Sequence, residues 1–189
     1  MHSRWLWLVC LGLALVGATT AAEQYKCIAT PNPPKLPVTR ASGRGSSAYL
    51  VRVLQTAGIA DTWKPTRREI GSVPTGTIVE VLEDLIVVDA PDIVSVSRSI
   101  EGLNLKEGDT ILRFARLGEG WADFWAAGCW YKEANADFIV EPDGGGCGGA
   151  RCSAKVTKMG SQMWWFHIKL PNGKTGWTLS QSLDPWAGG

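Results

Sequence analysis

Charge of one sign is what this 189-residue chain lacks: nineteen Lys and Arg stand against eighteen Asp and Glu, a formal net charge of +1. Nucleic-acid binding needs a concentrated basic face. The clusters on offer, Arg40 with Arg44 and Lys64 with Arg67 and Arg68, are small and read as solvated loop charge. Histidine is almost missing, and only His167 lies beyond the first 22 residues. No Cys-x-x-Cys pair occurs, which argues against a structural zinc site and leaves no cofactor to expect. After residue 22 no stretch is apolar for the about 20 residues that a membrane-spanning helix requires.

What is there begins with a leader. His2 and Arg4 precede an apolar run from Trp5 to Val16, followed by Gly17, Ala18, Thr19, Thr20, Ala21 and Ala22, which reads as a secretory signal peptide over 1–22, cleaved near Ala22. The expected location is periplasmic or extracellular, with no membrane span after cleavage. Removing the leader takes Cys10 from the five cysteines and leaves Cys27, Cys129, Cys147 and Cys152. An even set in an oxidising compartment predicts two disulfides. Three pairings are open, although the short loop from Cys147 to Cys152 is able to close locally. Tryptophan is the surplus: Trp63, Trp121, Trp125, Trp130, Trp164, Trp165, Trp177 and Trp186 all follow the leader. That is more than a small core uses, so some are expected to meet a ligand.

The clearest local structure lies in Gln162 to Leu183. Trp164, Phe166, Ile168 and Leu170 alternate with Trp165, His167 and Lys169, the period of a half-buried strand. Pro171, Asn172, Gly173 and Lys174 supply a tight turn before Gly176, Trp177, Thr178 and Leu179 return. Upstream, Ile70 to Val73 and Ile78 to Leu82 flank a Pro-Thr-Gly turn, with the β-branched content of strands. Leu85 to Val88 and Ile93 to Val96 are further short runs, with 89–92 as a possible turn between them. Two aromatic segments follow, Trp121 to Trp125 and Cys129 to Tyr131. Residues 48–57 fit either a helical face (Leu50, Val53, Leu54, Ala57) or a strand (Tyr49, Val51, Val53), and a helix is slightly preferred.

The hairpin of Trp164, Trp165, Gly173, Gly176, Trp177 and Leu183 closely resembles the last strands of bacterial Src-homology-3-like (SH3-like) domains. Ile70, Gly71, Gly76, Thr77, Val79 and Val81 are similar to the family's early strands, and the glycine turns before Ile111 and Trp121 to its periplasmic members. The resemblance implies an all-β fold of one or two small SH3-like β-barrels. The expected organisation is a flexible Pro/Gly/Ser-rich arm at 23–47, an SH3-like region at 48–140, a Gly-rich connector at 141–151 and an SH3-like C-terminal region at 152–189. Trp121 to Trp130 echoes Trp164 to Trp177, so two copies and one elaborated barrel both stay open.

Such domains bind more often than they catalyse, so the resemblance implies a non-catalytic module of the cell envelope that recognises peptidoglycan peptides or a partner protein in an aromatic groove. The expected ligand-binding residues are Trp165, Trp177 and Trp164, with Trp121, Trp125 and Tyr131 as an equivalent set. Alternation puts Trp164 on the core face and makes Trp165 the better groove residue. The competing readings are a small envelope hydrolase, with a Cys or Ser nucleophile and His167, and a structural or inhibitory partner of another envelope protein. Glu80, Glu83, Asp84, Asp89 and Asp92 read as ordinary surface, not as a glycosidase pair. Gly144, Gly146 and Gly149 satisfy Gly-x-Gly-x-x-Gly without the flanking strand and helix of a phosphate cradle. Gly43, Gly45 and Ala48 fit a looser form of the same pattern and are also read as a flexible loop.

Overall fold

The computed structural model describes residues 25–41, 48–148 and 152–184. The signal peptide expected at 1–22 and the serine-glycine stretch at 42–47 lie outside the described residues. The molecule is all-β. Its strands in chain order are β1 (Ile28–Ala29), β2 (Val38–Ala41), β3 (Tyr49–Val53), β4 (Ala57–Ala60), β5 (Glu69–Val73), β6 (Ile78–Ala90), β7 (Asp92–Val96), β8 (Thr110–Gly118), β9 (Trp121–Ala126), β10 (Cys129–Asn135), β11 (Ile139–Val140), β12 (Ala154–Lys158), β13 (Ser161–Lys169), β14 (Thr175–Leu179) and β15 (Leu183–Asp184).

They form two curled sheets. Sheet I has the order β1-β10-β9-β8-β7-β12-β11, and sheet II has the order β15-β3-β6-β13-β14-β4-β5, with β2 also on β6. Each sheet holds one of the tryptophan hairpins. The division falls elsewhere than at 141–151, however: β12 pairs with β7 in sheet I, whereas β13, β14 and β15 pair with β6, β4 and β3 in sheet II. Sheet II is thus assembled from two separated parts of the chain, and most of sheet I lies between them.

The run from Leu85 to Val96 does not reverse at 89–92. It is one path that leaves sheet II as β6 and enters sheet I as β7, and β12–β13 runs back beside it. Gly160 is needed at that crossing, because a Cβ there would sit 2.1 Å from the Ala90 carbonyl oxygen. Asp92 fixes the same point: its Oδ1 accepts the Gly160 N–H at 2.7 Å, and its Oδ2 accepts Arg113 Nε at 2.9 Å. Arg113 also donates to both oxygens of Glu141, at 2.5 and 2.9 Å. Burial pulls the Arg113 guanidinium down, but the bonds and charges of Glu141 and Asp92 more than reverse this and hold it above its ordinary value.

Each sheet wraps its own core. Val51, Val53, Ile59, Val79, Val81, Phe166, Ile168 and Leu183 fill sheet II, and Val94, Ile111, Phe124, Tyr131, Phe138 and Val156 are among those that fill sheet I. A third cluster, Ile86, Val88, Phe114, Ala115 and Trp130, joins the two.

Two expectations about the N-terminal third are corrected. Residues 49–53 are a strand, not a helix. Val51 and Val53 are buried while Leu50 and Leu54 are exposed, because pairing with β6 selects the period-two face over the helical one. The described part of the arm, 25–41, is ordered. Cys27 is bonded to Cys129, β1 lies on β10, β2 lies on β6, and Arg40 pairs with Asp123 at 2.6 Å and with Glu133. The arm straps both sheets. The second disulfide is the local one, Cys147 to Cys152.

Candidate functional site

The site grows from the β13–β14 hairpin, whose turn closes through the Leu170 N–H to the Lys174 carbonyl at 2.8 Å and through Asn172 Oδ1 accepting the Lys174 N–H at 3.1 Å. Register pairs Phe166 with Thr178 and Ile168 with Gly176 on the core side, and Trp165 with Leu179 and His167 with Trp177 on the other. Gly176 makes room for the core: a Cβ there would lie 2.3 Å from Ile59 Cγ2. On the outer side the His167 and Trp177 rings stack at 4.9 Å and 10°, with Trp177 half-buried.

Beside this pair a cleft of about 360 Å³ opens between the β4–β5 loop and the 3-10 turn Ser180–Ser182 that follows β14. Trp165, Arg67, Glu69, Gln181 and Ser182 are among its walls. The β4–β5 loop is shaped by its own bonds. Asp61 accepts the Arg68 N–H at 2.9 Å and Arg68 Nε at 3.4 Å, and the Arg67 N–H reaches the Lys64 carbonyl at 2.9 Å. The Arg68 backbone N–H is the main reason that the Asp61 carboxyl is held below its ordinary value. Arg68 is therefore engaged, and Arg67 is left to turn onto Trp165, its guanidinium carbon 5.2 Å from the ring centroid. That distance is within the range of a cation–π contact.

Three polar groups in this cleft lack an ion-pair or hydrogen-bond partner among the described residues. Arg67 and Glu69 take part in no ion pair among the described residues. The Trp165 indole Nε1 is buried with no hydrogen-bond partner. A buried N–H left in that state costs about 1–3 kcal/mol.

The sequence-predicted residues divide. Trp165 lines the cleft, as its outer-face position required, yet only 3% of its surface is exposed, because the β4–β5 loop carries Arg67 across it. Trp177 flanks the cleft through its cross-strand neighbour Ala60. Trp164 lies on the core side, stacked on Phe166 at 5.3 Å and packed between the sheet II and shared clusters, so it is not a groove residue.

Trp121, Trp125 and Tyr131 are not an equivalent set. Along β9 the first two share one face, but Trp121 is 46% exposed by the β8–β9 turn, whereas Trp125 packs against the shared cluster and donates Nε1 to the Thr30 carbonyl at 2.8 Å. Tyr131 pairs with Phe124 on the opposite face and is buried in the sheet I core, its ring 4.9 Å from that of Phe124. Trp121 borders a smaller cavity of about 140 Å³ whose Arg113 and Glu141 already bind each other.

Arg67 and Glu69 were missed as site residues. The one signal was the basic cluster of Lys64, Arg67 and Arg68, and nothing local says that this loop folds over a tryptophan on β13.

All four described cysteines are in disulfides, and His167 makes no hydrogen bond among the described residues. Glu80 is paired with Lys169 at 3.0 Å and Asp92 with Arg113. No group of three His, Cys, Asp or Glu is placed to hold a metal among the described residues, and no described helix is long and apolar enough to cross a membrane. Comparison with family models, with curated proteins and with solved structures gives no match.

Proposed function

We propose that the chain is a non-catalytic binding module of the bacterial cell envelope, built on an SH3-like barrel, that holds a peptide from peptidoglycan or from a partner protein in the cleft over Trp165 and along Trp177. The observation that carries this reading is the cleft itself, where an aromatic floor meets two charges with no ion-pair partner among the described residues. Sites of this size, apolar below with a few convergent polar groups, suit a short segment of ligand. Two disulfides and a leader-like N-terminus are compatible with a periplasmic or extracellular location. The thiol version of the hydrolase reading loses its nucleophile to the disulfides.

The test is pelleting of the mature protein with purified peptidoglycan, beside a Trp177→Ala variant. Trp177 is the better probe, since replacing Trp165 also opens the cleft floor. Wild type is expected in the pellet and the variant several-fold depleted from it. Absence of wild type from the pellet, together with one stoichiometric protein in a pull-down, would replace wall binding by partner binding. Equal pelleting of both proteins would remove the Trp177 assignment.

A further inference from the structure

Resting on the peptide-binding reading above, we propose that the cleft is a carboxylate receptor: a carboxylate of the ligand docks on the Arg67 guanidinium and accepts the Trp165 indole Nε1–H. Three observations converge on it. Arg67 is the cation of the cleft, and it lies over an aromatic ring in no ion pair among the described residues. Trp165 is 3% exposed, lines the same cleft and carries an N–H with no acceptor among the described residues. The cleft, at about 360 Å³, has room for the end of a peptide.

The chemistry favours this group. A guanidinium presents a rigid planar fork that matches the two oxygens of a carboxylate, and such charge-assisted bonds are about twice as strong as neutral ones. Movement of the guanidinium from the ring onto the ligand uncovers the indole, whose N–H gains the acceptor that no described residue supplies. Glu69 stands in the same cleft and cancels the charge of Arg67. That balance disfavours a polyanion and suits a peptide that carries both a carboxylate and an amine.

The probe is the peptidoglycan stem tetrapeptide L-Ala-γ-D-Glu-meso-diaminopimelate-D-Ala, used as the free acid and with every carboxyl converted to carboxamide. Binding is followed by calorimetry and by the Trp165 indole N–H resonance of the full mature chain. The free acid is expected to bind at least tenfold tighter than the carboxamide and to shift the Trp165 indole resonance, with inorganic phosphate failing to compete. Arg67→Gln, on an exposed loop, should bring the free acid down to the carboxamide's affinity and leave the carboxamide unchanged. Equal binding of the two forms would overturn the carboxylate assignment and leave the peptide-binding reading standing. A preference that survives Arg67→Gln would overturn it as well, as would effective competition by phosphate. Binding of neither form would remove both this assignment and the recognition of stem peptides.

Discussion

The buried charges of sheet I and the two charges lining the sheet II cleft are treated in opposite ways. In sheet I the buried Arg113 is bonded by Asp92 and Glu141, and Asp123 is held by Arg40 from the arm. In sheet II the charges around the cleft, Arg67 and Glu69, stand without ion-pair partners among the described residues. Both sheets carry a tryptophan hairpin and a core of their own, so the contrast lies in the use of polar groups. Where a charge is buried and paired, removing one partner strands the other at a high desolvation cost. Where it is exposed and unpaired, the fold loses little without it, and the group is available to a ligand.

The largest effect that this contrast predicts is at Arg113. Arg113→Met leaves the buried Asp92 with only the more distant Arg116, 3.7 Å away, and the partly exposed Glu141 without its cation, and should cost about 3–5 kcal/mol of unfolding free energy. Urea denaturation followed by tryptophan fluorescence would measure it. Combining it with Asp92→Leu should restore part of the loss. A cost under about 1 kcal/mol for the single variant would show that the network is not structural, and the comparison between sheets would break. Because β6–β7 and β12–β13 run through both sheets and a shared cluster joins them, one transition is expected, not two.

Next in size is the strap. Cys27 and Cys129 are separated by 102 residues, against 5 for Cys147 and Cys152. Closing the longer loop removes more disorder from the unfolded chain, so Cys27→Ser with Cys129→Ser should cost about 2–4 kcal/mol and the local pair less. Release of the arm also takes the Thr30 carbonyl from Trp125, and the fluorescence of the folded protein should change with it. Equal losses for the two disulfides would indicate that the strap adds nothing beyond loop closure.

The strand character of β13 was legible because side chains alternate along it, that of the first part of β6 because Ile78 to Leu82 is rich in β-branched residues, and the tight hairpin at 170–174 because its turn residues admit few other conformations. The same alternation correctly put Trp164 inside and Trp165 outside. It could not say that the outer face is covered at Trp165, since that depends on where the 61–68 loop lands. The stretch 48–57 failed for a related reason: its apolar residues fit two periods, and only the partner strand β6 decides between them. The arm failed because prolines and glycines record weak local order, while its real restraints are a disulfide, two short strand pairings and Arg40, all long-range. Local rules therefore read the sheet II hairpin well and the cleft poorly. The cleft is made where distant segments meet.

The smallest expected effect tests whether the two hairpins are equivalent. Trp121 is the most exposed of the candidate tryptophans, and sequence similarity to the other hairpin would make it a ligand contact. Its surroundings argue otherwise: the cavity beside it holds Arg113 and Glu141 already bonded to each other, and Trp125 and Tyr131 are committed to packing. Glu119 and Asp137 also line that cavity, but its buried cation Arg113 is already taken up by Asp92 and Glu141, so the cavity has no unpaired buried cation to orient a ligand carboxylate. Trp121→Ala should therefore change stability by no more than about 0.5 kcal/mol and leave peptidoglycan pelleting at the wild-type level, while Trp177→Ala lowers it. Loss of pelleting in Trp121→Ala with the fold intact would move binding to sheet I. The unpaired charges of sheet II would then need another explanation.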